Sequence, residues 1–148
     1  MTPNSPENRL LALLRHMGTL PLMRLPETVE LSPPAVGLIG WVDRSPGCGV
    51  LDIAKGLHLA PPTISVGIRK LEKSGWLERR HDPNDRRARP LYLTPKGEEL
   101  MQRVRAHRTQ MLKFFLDGLP PTEQEQLLDL LERAISIMAE NLASKHES

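Results

Sequence analysis

Apolar positions recur at helical spacing along most of the chain and alternate only in one short stretch, which predicts a mainly α protein with a small β-hairpin. Ser5-Pro6-Glu7 has the grammar of a helix start: a serine N-cap, proline at the first helical position and an acid in the first turn. Leu10, Leu13, Leu14 and Met17 then share one stripe. Gly18, Pro21 and Pro26 interrupt the pattern, so residues 18–31 are expected to be an irregular connection. Ser32-Pro33 repeats the start signal, and Val36 and Ile39 carry a second helix to about Arg44, before Ser45-Pro46-Gly47-Cys48-Gly49 breaks the chain.

The pattern then sharpens. Leu51, Ile53, Ala54 and Leu57 predict a short amphipathic helix, His58-Leu59-Ala60 a tight turn, and Pro61 to Ser74 a second helix with Ile64, Ile68 and Leu71 as its buried stripe. The opposite face carries Pro62, Val66, Arg69 and Lys73, flanked by Thr63, Ser65 and Lys70. A short helix, a turn and a second helix with a small, polar, basic outer face read as a helix-turn-helix, a motif whose second helix enters the DNA major groove.

Gly75 suits the helix C-cap. Trp76 to Arg80 and Pro90 to Thr94 predict two strands, and the loop between them holds Asp82-Pro83-Asn84-Asp85 followed by Arg86, Arg87 and Arg89. A hairpin tipped with arginines has the shape needed to reach a narrow minor groove. Thr94-Pro95 opens another helix, continued by Leu100, Val104, Met111 and Phe115 to about Leu116. Thr122-Glu123-Gln124-Glu125 is a capping box for the last helix, whose main stripe is Leu127, Leu128, Leu131, Ala134, Ile135, Met138 and Leu142, widened by Leu130 and Ile137. A helix apolar over so much of its circumference is expected to bury two faces, one on its own domain and one on a second copy of the chain.

Composition narrows the function classes. At 148 residues, with 39% hydrophobic and 26% charged, the chain fits one compact domain or one domain with oligomerisation helices, and argues against a two-domain cofactor enzyme. The absence of a membrane-length apolar run, together with Glu7 where a signal peptide would be basic, leads to an expectation of a cytoplasmic protein. The net charge of +2 hides a division: residues 61–90 hold eight basic and four acidic side chains, residues 117–148 two and seven. A basic middle points to a polyanion. Five aromatic residues are too few for stacking single-stranded bases. The lone Cys48 and five scattered histidines supply no recognisable metal set, and phosphate loops and nucleophile elbows are missing, so neither catalysis, nor a metal, nor a cofactor is expected.

The run from Leu31 to Leu100 resembles the MarR family of bacterial winged-helix transcription regulators. The likeness rests on Leu77-Glu78-Arg79-Arg80-His81-Asp82-Pro83-Asn84-Asp85-Arg86-Arg87-Ala88-Arg89, on Leu91-Tyr92-Leu93-Thr94 with Gly97, and on Thr63-Ile64-Ser65 with Lys70-Leu71-Glu72 and Gly75. The resemblance implies a homodimer held by N- and C-terminal helices, with two winged helix-turn-helix modules on a pseudo-palindromic duplex, and a repressor released by a small-molecule effector. The corresponding division is residues 1–31 and 95–148 for dimerisation and 32–94 for DNA binding. Leu10, Leu13, Leu14, Leu127, Leu131, Ile135, Met138 and Leu142 are the expected dimerisation residues.

By the same resemblance Arg87 is the candidate for minor-groove insertion, oriented by Asp85 through a charge-assisted hydrogen bond. Pro62, Thr63, Ser65, Val66 and Arg69 occupy base-reading positions: Arg69 suits a guanine edge, and Val66 or Pro62 a thymine methyl. Lys70, Lys73, Arg86 and Arg89 suit phosphates. Val66 stands where many members carry a polar residue, Pro61-Pro62 removes two N–H donors from the helix start, and His58 stands where glycine often ends the preceding helix. Some members sense peroxide through a first-helix thiol, whereas Cys48 lies in a later loop. The competing reading is a winged-helix module whose basic surface meets an acidic protein.

Overall fold

A computed structural model describes residues 5–146, and these divide into two compact units: Met23–Thr109, and the described parts of Met1–Leu22 and Gln110–Ser148. In chain order the elements are α1 (Pro6–Thr19), a single 3-10 turn (Pro21–Met23), α2 (Pro33–Arg44), α3 (Val50–Leu57), α4 (Pro61–Lys73), β1 (Leu77–Arg79), β2 (Leu91–Leu93), α5 (Pro95–Leu116) and α6 (Pro121–His146). The fold class is therefore as expected, mainly helical with one small antiparallel hairpin.

Local chemistry accounts for the starts. The hydroxyls of Ser5 and Ser32 accept the N–H groups of Asn8 and Ala35, each at 3.4 Å, and proline follows each cap. Gly49 N–H donates to the Asp52 carboxylate at 2.8 Å at the start of α3. The last helix departs from the expected capping box, beginning one residue earlier, at Pro121. The Pro120 carbonyl accepts the N–H groups of Glu123 and Gln124, and the Gln124 amide donates to the Leu119 carbonyl at 2.9 Å. Proline at the first helical position outcompetes Thr122 as the boundary because its fixed φ already suits the helix.

The unit from Met23 to Thr109 is built around Val36, Ile39, Val42, Ile53, Ile64, Ile68, Leu71, Leu77, Leu91, Leu100 and Val104, all buried. Leu25, Val29 and Leu31 of the irregular connection pack against this core. Leu51, expected on the buried face of α3, is 71% exposed; in a helix of eight residues Ile53 and Ala54 are enough to seat it. The hairpin pairs Leu77 with Leu93 and Arg79 with Leu91, and a third partner joins it: Gly47 N–H donates to the Leu91 carbonyl at 2.8 Å, and Leu91 N–H to the Cys48 carbonyl at 3.0 Å. The segment expected only to break the chain thus covers one edge of β2.

The other unit contains α1, the end of α5 and α6. No described residue of α1 or α6 is buried. Leu131, Ile135, Met138 and Leu142 of the last helix are all exposed in the single chain, as are Leu10, Leu13 and Leu14 of α1. Leu127 is half-buried.

Candidate nucleic-acid interface

The outer face of α4 is fixed from below. Ile64, Ile68 and Leu71 are 2%, 0% and 4% exposed, so the helix cannot rotate without losing its core contacts. Gly67 permits the close approach to α2: a Cβ there would lie 2.7 Å from Leu38 Cδ1. The C-terminal end is held by Gly75, whose φ of +79° only glycine adopts without strain, and by Thr94, whose hydroxyl donates to the Gly75 carbonyl at 2.5 Å and accepts Gly97 N–H at 3.1 Å. Lys96 adds a bond to the Ser74 carbonyl at 2.9 Å and lies over the Trp76 ring. The sequence offered Thr94 as a helix cap; its second role, tying α4 to α5, is visible only in three dimensions.

With the helix seated this way, Pro62, Thr63, Val66, Arg69, Lys70 and Lys73 are exposed and Ser65 is half-buried. The turn before α4 is set by His58, a non-glycine residue in the left-handed region at φ 54°. The N-terminal end of α4 has no free amide. Pro61 and Pro62 carry none, and Thr63 and Ile64 both donate to the Ala60 carbonyl, at 3.0 and 3.3 Å. Anion binding through helix-terminal N–H groups is therefore unavailable here, and side chains must supply the grip.

The wing tip is shaped by its own carboxylates. Asp82 Oδ1 accepts Asn84 N–H at 2.8 Å, and Asp85 Oδ1 accepts the main-chain N–H of Arg87 at 2.9 Å. The expected charge-assisted bond from Asp85 to the Arg87 guanidinium is thus replaced by a bond to its backbone, because an Asx-type turn brings the amide two residues on within reach. The guanidinium groups of Arg86, Arg87 and Arg89 remain exposed.

The eight basic residues of this region fall into two groups. Arg79 pairs with Glu72 at 3.0 Å, and Arg80 pairs with Glu78 at 2.9 Å while stacking 4.1 Å from the Tyr92 ring centroid. Arg69, Lys70, Lys73, Arg86, Arg87 and Arg89 make no ion pair among the described residues. Glu72 of α4 and Glu78 of β1 are thereby each paired with a neighbouring arginine, and both wing aspartates accept main-chain N–H groups, so the solvent side presents six cations without an ion-pair partner on two protrusions.

Other chemistry is sparse. Cys48 is 8% exposed, and burial, with the Asp52 carboxylate nearby, pushes its thiol pKa up, away from the reactive thiolate. Among the described residues no group of three His, Cys, Asp or Glu is placed to hold a metal ion, and no helix is long and apolar enough to cross a membrane.

A seated recognition helix beside a paired hairpin defines a winged helix-turn-helix protein. Residues 31–88, most of this winged unit, match the model of the MarR family. The chain is similar to the uncharacterised HTH-type transcriptional regulator YkoM of Bacillus subtilis, 35% identical over 82 residues, which are 55% of this chain and 53% of that one. It is also similar to the transcriptional repressor MprA of Escherichia coli, 39% identical over 67 residues, 45% of this chain and 38% of that one. The aligned stretch thus spans about half or less of these relatives. In fold the likeness extends further: FabT of Streptococcus pneumoniae, solved in complex with DNA, superposes with a TM-score of 0.69 at 19% identity, covering 90% of this chain and 95% of that one.

Proposed function

We propose that the protein is a double-stranded-DNA-binding transcription regulator that acts as a homodimer on a pseudo-palindromic operator, in the manner of a repressor. The observation that carries this reading is the set of six unpaired cations on the outer face of α4 and the wing tip, on elements whose own acids are already engaged. In this reading α4 lies in the major groove, with Arg69, Thr63, Ser65 and Val66 at base edges and Lys70 and Lys73 at phosphates. The wing places Arg87 in the minor groove, flanked by Arg86 and Arg89.

Homodimerisation is supported by the uncovered apolar faces of α1 and α6 and by the fold shared with the MarR family. A small-molecule effector completes the reading. The apolar groove of about 430 Å³ between α2, α3 and α4 has Thr63 and Lys70 of the DNA-facing helix among its lining residues, so a ligand there would compete with DNA.

Fluorescence anisotropy with duplexes tiling the DNA upstream of the gene, at ~0.15 M salt with scrambled competitor, tests the proposal. Tight binding to one tile at one dimer per duplex is the expected result, with a log–log salt slope of about 0.9 for each phosphate neutralised. Absence of binding to any duplex would overturn it in favour of an acidic protein partner.

A further inference from the structure

The N-terminal half of the α4 outer face carries two apolar residues, Pro62 and Val66, beside the hydroxyls of Thr63 and Ser65. Pro62 and Val66 lie four residues apart on the same side of the helix; Pro62 is exposed and Val66 is 44% exposed. One exposed valine on a protein surface is ordinary. Here, however, it is joined by a proline one turn away, by the γ-methyl of the exposed Thr63, and by a helix end whose first-turn amides are absent or engaged. This corner of the helix therefore offers methyl and methylene groups and no main-chain donors, its polar groups being the Thr63 and Ser65 hydroxyls. Arg69 follows three residues after Val66, about 4.5 Å further along the helix axis, which is close to the ~3.4 Å step between stacked bases.

We infer that Pro62 and Val66 form a reader of the pyrimidine C5-methyl group, with Arg69 on a guanine in the adjacent base pair. In the major groove this methyl is the one apolar feature a base edge presents, and arginine on guanine O6 and N7 is the commonest specific contact. Thymine and 5-methylcytosine carry the methyl at the same place, so the patch accepts either. The operator half-site should therefore contain a thymine next to a guanine, and cytosine methylation should convert a poorly bound cytosine variant into a well-bound one. The inference rests on the assignment of α4 as the DNA-reading helix.

The test begins with selection of duplexes from a random pool by the full-length protein. The enriched half-site is then resynthesised with thymine, uracil, cytosine or 5-methylcytosine at each pyrimidine next to a guanine. Removing the methyl group, thymine to uracil, is expected to weaken binding about three- to tenfold per half-site, and 5-methylcytosine to recover a similar factor over cytosine. Val66→Ala is expected to erase both differences while leaving the salt slope unchanged; the residue is exposed, so the variant folds. An enriched sequence whose affinity is indifferent to the methyl at every such position would overturn the inference and leave sequence-specific binding intact. Methyl dependence that persists in both Val66→Ala and Pro62→Ala would overturn the assignment to these residues. A pool that yields no enriched sequence would overturn the sequence-specific reading itself, and this inference with it.

Discussion

Asp85 holds Arg87 by its backbone: the carboxylate accepts the main-chain N–H at 2.9 Å, while the guanidinium stays exposed at the wing tip. The aspartate therefore acts on the shape of the loop and the arginine on whatever the loop meets. Arg87→Ala is expected to cost about 1–3 kcal/mol of operator affinity. Asp85→Ala should cost less, through a looser tip. Asp85→Asn should cost least of the three, because the amide oxygen accepts the same N–H. Anisotropy titrations of the three variants check the order. Equal losses for Asp85→Asn and Asp85→Ala would show that the charge matters and that the carboxylate turns to the guanidinium in the complex.

Two helical glycines should respond to alanine in opposite directions. Gly37, inside α2, has nothing within 4 Å of the place a Cβ would occupy, so Gly37→Ala is expected to stabilise by about 0.5–1 kcal/mol through helix propensity. Gly97, in the first turn of α5, would place its Cβ 2.3 Å from the Trp76 carbonyl oxygen, a main-chain atom fixed by the hairpin. Gly97→Ala is expected to destabilise by about 1–3 kcal/mol despite the better propensity. Urea unfolding followed by tryptophan fluorescence measures both, since Trp41 and Trp76 lie in the winged unit.

What the sequence revealed and what it withheld differ in the range of the interactions. The caps at Ser5 and Ser32, the buried stripe Ile64, Ile68 and Leu71, and the glycine ending α4 are local signals, and each is found where the pattern places it. The pairing of Gly47 and Cys48 with Leu91 leaves no mark on a two-residue segment, because alternation needs length to show. Charge counts treat Arg79 and Arg80 like Arg69 and Arg87, yet Glu72, Glu78 and Tyr92 claim the first two, and only folding brings Glu72 and Tyr92 beside them. Leu51 is the converse case, an apolar residue at helical spacing that the fold leaves outside.

Cys48 is expected to be a structural thiol. Burial and the Asp52 carboxylate raise its pKa in the folded chain above the ordinary thiol value of the unfolded chain. The contribution of this group to stability is therefore complete below the unfolded pKa and is lost as pH rises through the folded one. An aromatic disulfide reagent should label the native protein slowly at neutral pH and the urea-unfolded chain at once. Cys48→Ala should remove the corresponding part of the alkaline loss of stability. Rapid native labelling would reopen a redox role.

The apolar faces of α1 and α6 lead to a prediction separable from folding of the winged unit. Leu131 and Ile135 are 48% and 65% exposed in one chain, while the core of the winged unit is drawn wholly from residues 36–104. Replacing both residues by glutamate adds two charges to a surface that a second copy would have to bury, at a cost of several kcal/mol for each unpaired ion. At one and the same concentration the parent protein is expected to sediment as a dimer and the double variant as a monomer, with its tryptophan fluorescence unchanged. Its operator affinity should fall steeply, because each half-site would then be bound without the second module held at high local concentration. A double variant that stays dimeric would move the interface away from this stripe of α6. A monomer that binds the full operator as tightly as the parent would separate DNA recognition from dimerisation.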